Sequence, residues 1–257
     1  MNAELSASAK RPTIDLSVQR TYTPILLCIL LSSALPSWAS NLNLIHLTAA
    51  ELDSVLQPVL SVVSVQQSVP ALLQNPVGKP AILTALKMPA AGLDINGSTQ
   101  LGFPTLWGAV AISPNLTIGG HLGASRWKKD NIISLGPYAS THWQASQALH
   151  SFSIGLNQLL GPDDFQSSAI HLNYQQVWQR SQWTLSGAAG FDYTRCKIHV
   201  TDHPDPSQNY RRTKEYTLLQ LQCSLERKIY EHLSAGAAIN LSNKILLIAC
   251  HIAFILK

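Results

Sequence analysis

Ser151-Phe152-Ser153-Ile154-Gly155-Leu156-Asn157 sets a large apolar residue against a small or polar one at every step. Side chains of a strand point alternately to opposite faces, so this stretch is a strand with one oily face and one wet face. Leu116, Ile118, Gly120, Leu122 and Ala124 repeat the pattern against Thr117, Gly119, His121, Gly123 and Ser125. From Thr105 onward such stretches recur at roughly the length of membrane-crossing β-strands. The pattern predicts a wall with lipid on one side and a polar lumen on the other.

The bulk composition agrees. The 257 residues are 46% hydrophobic but only 12% charged, about half the charge of an average soluble domain. Outside residues 1–40 and 245–257, no apolar run approaches the roughly 18 residues of a spanning helix. Alternation dilutes apolar residues in this way, and a soluble all-β protein is the competing expectation.

Residues 1–39 have the form of an export signal. Lys10, Arg11 and Arg20 make a basic start, Pro24 to Leu35 a short apolar core, and Ser37-Trp38-Ala39 a small-residue site with cleavage expected after Ala39. Removal of Lys10, Arg11, Arg20, Glu4 and Asp15 leaves 15 basic and 12 acidic residues, a net charge of +3. That balance is too mild to argue for nucleic acid. Cys196, Cys223 and Cys250 would remain, with Cys196 on the polar face and Cys223 on the apolar one. An odd number on opposite faces predicts free thiols.

Residues 40–80 form a separate segment. Thr48 and Glu51 have capping-box spacing, and Leu52, Val55, Leu56, Val59 and Val63 follow at helical spacing. Pro58 is expected to kink or end that helix. The segment has three possible places: plugging the lumen, lying on the barrel, or extending into the periplasm.

Ten strands are expected in residues 81–257, near 82–93, 105–113, 116–127, 131–144, 148–160, 167–178, 182–197, 214–225, 231–241 and 244–256. Tight turns at Pro114-Asn115, Gln144–Gln147, Gln179–Gln182 and Glu226–Tyr230 alternate with longer or more polar links at Asp94–Pro104, Trp127–Asn131, Gly161–Gln166 and Ile198–Thr213. Short turns on one side and long loops on the other are a membrane-barrel asymmetry. Trp143, Trp178, Trp183 and Tyr230 fall near the tight turns, and Trp127, Tyr193 and Tyr216 near the other ends, as aromatic girdles would. Alternation fades from Ile245 onward, which makes the tenth strand the least regular and admits a short buried helix there.

With this signal, these hairpins and runs such as Leu225-Glu226-Arg227-Lys228-Ile229-Tyr230-Glu231-His232-Leu233, the chain resembles small bacterial outer-membrane β-barrel proteins. The resemblance implies an all-β, up-and-down antiparallel transmembrane barrel of eight to twelve strands, ten preferred, with a short N-terminal helical segment. It also implies an outer-membrane location, contact with outer-membrane lipid or lipopolysaccharide, and delivery by the barrel-insertion machinery. Such barrels usually end on an aromatic residue, whereas here Phe254 stands inward of Lys257.

No residue set identifies a reaction, and no cofactor or metal is implied. Asp163, Asp164, Asp202 and His203 are the catalytic candidates, because omptin-type proteases pair two Asp and an Asp–His at a barrel rim. Here the pairs are adjacent in sequence and stand in Pro- and Gly-rich turn sequence. His121, His142, His171 and His232 share the polar parity, as do Ser153, Asn157, Asn173 and Asp192. The four histidines are spread in depth, so scattered lumen polars are expected there and not a zinc site. Arg126, Lys128, Lys129, Arg211 and Arg212 cluster toward one rim, where lipopolysaccharide phosphates would offer counter-charge. The function expected is non-enzymatic: a structural or narrow pore-like membrane protein passing or binding a small neutral or apolar solute. The alternatives are a rim-located protease or lipid-modifying enzyme, and a soluble periplasmic lipid-binding barrel, which would turn its apolar residues inward.

Overall fold

The computed structural model describes residues 52–66, 81–94, 103–127, 130–161, 165–200, 209–243 and 245–256. The expected export signal and the Thr48/Glu51 cap lie outside those residues. Among the described residues one helix, α1 (Leu52–Gln66), precedes ten strands: β1 (Ala81–Asp94), β2 (Thr105–Ser113), β3 (Leu116–Trp127), β4 (Asp130–Ala145), β5 (Ala148–Leu160), β6 (Phe165–Arg180), β7 (Trp183–Val200), β8 (Tyr210–Tyr230), β9 (Leu233–Ser242) and β10 (Ile245–Leu256). Every strand pairs antiparallel with its sequence neighbours, and β1 pairs with β10 from Ile82↔Leu256 to Asp94↔Ile245, closing the barrel. Closure leaves no edge strand, so the backbone hydrogen bonds are met within the wall, as a lipid surrounding requires. Pro89, which has no N–H to donate, sits at the one register shift in that seam.

The facing of the strands separates a membrane barrel from a soluble one. Phe152, Ile154, Leu156, Leu219, Leu221 and Ile239 point out, and Leu219 and Leu221 keep 67% and 56% of their surface exposed. Ser151, Ser153 and Asn157, which alternate with the first three, are buried inside. A soluble barrel requires the reverse, since exposed apolar area in water costs about 25 cal/mol per Å². Trp143, Trp178, Trp183, Tyr174 and Tyr230 also point out, near the tight-turn rim. There Trp143 stacks on His150 at 5.7 Å, and the His150 ring meets the Tyr174 hydroxyl at 2.6 Å. Apolar rings with polar edges suit a membrane–water boundary. At the other rim Tyr193 points out, but Tyr216 turns inward with Tyr210 against a buried apolar cluster.

At one rim the turns are Pro114-Asn115, Ser146-Gln147, Ser181-Gln182 and Glu231-His232. Ser146 and Ser181 take φ of 55° and 51°, the left-handed values of twist-matched hairpin turns. At the opposite rim the links cover residues 95–104, 128–129, 161–164, 201–209 and 243–244, so two of these are short as well. One expected link turns out to be strand and another is shortened from both ends. β7 and β8 run out to Val200 and Tyr210, and Glu226 to Tyr230 continues β8. The charges of Glu226-Arg227-Lys228 imitate a turn, yet the alternation persists, with Glu226 inward and Arg227 lying over the outer Trp183 ring at 5.4 Å.

The helix occupies the lumen. Leu56, Leu60 and Val63 pack in one buried cluster with Phe103, Ile132, Leu159, Phe165, Ile198 and Leu218, contributed from around the wall near the long-link rim. Ser61, Val62, Val63 and Ser64 are all buried, four in succession. A helix lying on a surface hides a stripe, whereas consecutive burial needs walls on every side. The helix continues through Pro58, because this enclosure outweighs the lost hydrogen bond. Its contacts with β8, β9, β10 and β1 also account for the faded alternation of β10. Ile245, Leu247 and Ala249 face inward while the outer face is apolar too, so both faces read alike.

Candidate functional site: the lumen below the helix

The inward side chains are ordered in tiers set by strand register. One row pairs Ser140↔Ser153, Ser153↔Asn173, Asn173↔Gly190, Gly190↔Gln220 and Gln220↔Ser242. The next pairs His142↔Ser151, Ser151↔Gln175, Gln175↔Ala188, Ala188↔Gln222 and Gln222↔Asn240. Two adjacent tiers of uncharged polar side chains thus run through β4 to β9. Below them the Gln175 amide donates to Ser186 Oγ at 3.0 Å, and Ser186 and Ser224 hydroxyls meet at 2.6 Å.

An imidazole–carboxylate pair bounds this band on each side. His171 Nδ1 bonds Asp192 Oδ1, its direct register partner, and both are buried. The second carboxylate oxygen of Asp192 accepts from the Gln220 amide at 2.7 Å. That amide also faces Ser64 of α1, its hydroxyl at 2.5 Å and its carbonyl at 3.1 Å, which ties helix to wall. On the far side His251 Nε2 meets Glu226 Oε1 at 2.7 Å, both side chains almost fully buried. Glu226 and His251 stand two strands apart, with Gly236 between them in register. A Cβ on Gly236 would come within 2.7 Å of Glu226 Cγ, so the pair forms because the intervening residue has no side chain. Lys87 is buried opposite His251 in the same row.

A third network repeats the device. His121 Nε2 meets Asn157 Oδ1 at 3.0 Å, and Ser134 donates to the same oxygen at 3.0 Å, across Gly136 on β4. His121 also lies against Trp107, their ring centroids 4.7 Å apart, in the apolar floor that Trp107 builds with Leu83, Ala85, Tyr138 and Ala253.

His121, Ser153, Asn157, His171, Asn173 and Asp192 are therefore all buried on the lumen side. His142 joins them and bonds Thr117 at 2.9 Å. His232 does not, because the extension of β8 places it in the hairpin turn with its side chain 50% exposed. Lys87, Glu226, Gln220 and His251 were not singled out from sequence. Parity was the available signal, since Glu226 follows Ser224 and His251 follows Ala249 by two. Asp163, Asp164, Asp202, His203, Lys128 and Lys129 lie outside the described residues, as does the side chain of Arg126. Arg211 and Arg212 are exposed near the long-link rim, with Arg211 Nη2 3.3 Å from His199 Nε2. Among the described residues no group of three or more His, Cys, Asp or Glu is placed to hold a metal ion. Cys196 is buried inside the wall, Cys223 and Cys250 are exposed, and all three are free thiols.

No protein-family model and no curated protein matches this sequence. Among solved structures, the outer membrane protease OmpT from Escherichia coli is similar over 70% of this chain and 97% of its own, at 7% identity and a TM-score of 0.45. The chain resembles bacterial outer-membrane β-barrels. The β domain of the Bordetella autotransporter BrkA gives 10% identity and a TM-score of 0.42, over 69% of this chain and 98% of its own. The translocator domain of the autotransporter NalP from Neisseria meningitidis gives 10% and 0.37, over 81% and 96%. Likeness at this level assigns no activity to this chain.

Proposed function

We propose that this chain is an outer-membrane barrel that holds a narrow solute route shut with its own N-terminal helix. The observation that carries the reading is the burial of Leu60, Ser61, Val62, Val63 and Ser64 in succession, on the helix Leu52–Gln66, which is tied to the wall through Gln220. The apolar outer face and the Trp–Tyr rim support the membrane location. Ten strands enclose an interior only slightly wider than the side-chain-filled eight-stranded case, so a helix suffices to close it. The chemistry of the route is recognition by uncharged polar groups, with no covalent step.

Planar-bilayer recording tests this. The intact protein is expected to stay near the baseline, and a variant lacking residues 52–66 to conduct in discrete steps while keeping heat-modifiable gel migration. A folded deletion variant that remains silent would remove the gated-route reading.

Outer-leaflet phosphate is the partner this reading favours at the long-link rim. Arg195, Lys197 and Arg211 point outward there, on the strands that extend furthest, with Glu215 3.9 Å from Arg195 as the one nearby counter-charge described. A soluble lipid-binding barrel is disfavoured by the outward Leu219 and Leu221. A rim hydrolase has no observation in its favour among the described residues.

A further inference from the structure

We infer that the outer wall of β6–β8 at the tight-turn rim binds one anionic phospholipid, its phosphate held between Arg180 and Arg227 over the Trp183 ring. This rests on the reading of the chain as a membrane barrel, and not on the lumen as a solute route. Arg180 pairs with Trp183, and Trp183 pairs with Arg227, so two arginines flank one tryptophan in a single row across three strands. All three side chains are exposed. Two strand spacings set the arginine backbones about 10 Å apart. The Arg227 guanidinium leans inward over that gap, 5.4 Å from the Trp183 centroid. A guanidinium held over an aromatic face keeps its N–H edge for oxygen, and phosphate is the acceptor whose geometry matches it. Short turns mark the periplasmic end of an outer-membrane barrel, away from the lipopolysaccharide leaflet, so the lipid here is a phospholipid.

Charge and shape both single out this sector. Among the described residues no carboxylate pairs with either arginine: Glu226 turns into the lumen on His251, and Glu231 stands in the next hairpin turn, 4.0 Å from His232. Among those residues the arginines and lysines of this rim are Arg180, Arg227 and Lys228, on β6 and β8, whereas the turns Pro114-Asn115 and Ser146-Gln147 carry none. Positive charge gathered on one side suits one bound anion and not an even ring of lipid. Toward the middle of the wall the next outward rows are Trp178↔Leu185↔Leu225, Gln176↔Gly187↔Cys223 and Tyr174↔Ala189↔Leu221. Past Leu185, β7 thus presents Gly187 and Ala189 between larger neighbours. A Cβ on Gly187 would meet only a Trp178 ring carbon, at 3.8 Å. The result is a shallow apolar trough that starts beside the charged row and follows β7, where an acyl chain can lie. A free phosphate would leave the trough bare, and an uncharged lipid would leave both arginines without an anion.

The test is native mass spectrometry of the full chain folded into a neutral detergent. The protein is titrated with phosphatidylglycerol, with phosphatidylcholine, and with glycerophosphoglycerol (the anionic headgroup without chains). One phosphatidylglycerol adduct is expected, at least tenfold tighter than phosphatidylcholine, which carries its own cation, and than the soluble headgroup. The double variant Arg180→Gln/Arg227→Gln should weaken it at least tenfold while keeping heat-modifiable migration. Should that variant not fold, Arg180→Gln alone is expected to weaken it several-fold. Gly187→Leu, which fills the trough and leaves the charges in place, should also weaken it several-fold. No adduct, phosphatidylcholine or the soluble headgroup bound as tightly, or unchanged phosphatidylglycerol binding by the folded variants would each overturn the assignment. Conductance plays no part in this measurement, so a silent helix-deleted barrel would count against gating alone.

Discussion

The side-chain amide of Gln220 on β8 donates to Ser64 on α1, a hydrogen bond between residues 156 positions apart that joins plug to wall. The same amide serves Asp192, so one side chain both seats the helix and satisfies a buried carboxylate. Gln220→Leu should therefore loosen the helix more than Ser64→Ala. Gln220→Leu loses both bonds to Ser64, through its hydroxyl and its carbonyl, whereas Ser64→Ala keeps the carbonyl one, at about 1 kcal/mol for each bond. Bilayer recordings should show open events at least tenfold more often in Gln220→Leu, and a smaller rise in Ser64→Ala. Equal open probabilities in the two variants would mean that the amide does not seat the helix.

The Glu226–His251 pair predicts a non-additive mutant cycle. His251→Leu strands a buried carboxylate, a loss of about 3–5 kcal/mol for breaking such a pair. Replacing both members with leucine removes the stranded charge and should recover most of that loss. Urea titrations of folding into phosphatidylcholine vesicles would read the cycle, and additive losses would speak against a coupled pair.

Gly236→Ala reaches the same pair from the backbone side. The new methyl would stand 2.5 Å from the Leu225 carbonyl oxygen and 2.7 Å from Glu226 Cγ. The expected loss is about 1–3 kcal/mol, as for other overpacked sites. Gly108→Ala, where a Cβ meets nothing within 4 Å, is the control and should be near neutral in the same titration.

The outward face makes the location testable without transport. Leu221→Arg should cost about 2–4 kcal/mol if that residue stands near the bilayer midplane, and less toward either interface. In a water-soluble barrel the same change would be neutral or favourable. Folding free energies in vesicles decide between the two.

Pro58→Ala should stabilise the seated helix. Proline costs about 3 kcal/mol relative to alanine inside a helix, and Pro58 lies well within Leu52–Gln66. Fewer open events than in the unsubstituted protein are expected, and an unchanged rate would mean that helix stability does not set the opening.

The strands were legible where a wet face met an oily one. Ser151–Asn157 and Leu116–Ser125 showed both the strands and their facing, because lipid and lumen demand different residues. β10 was not legible by the same rule, since the helix inside and the apolar belt outside ask for the same side chains at Ile245, Leu247 and their neighbours. Glu226 was hidden by its charged company, and its partner His251 by distance along the chain. Single positions such as Asp192 could be placed on the polar face from parity. The pairs and tiers they enter depend on which strands are neighbours and on glycines that leave room between them, and strand parity does not carry that information.

The helix precedes β1 in the chain, yet it ends up inside a wall whose last seam joins β1 to β10. Ile82 must find Leu256 across nearly the whole folded sequence, a late event on loop-closure grounds. If the seam forms with the helix already indoors, assembly has a fixed order: the curved sheet gathers around α1 and the ends meet last. The apolar inner residues of β10, which obscured that strand in the sequence, would then have a second role. They keep an unfinished sheet attached to the helix until its two margins can join.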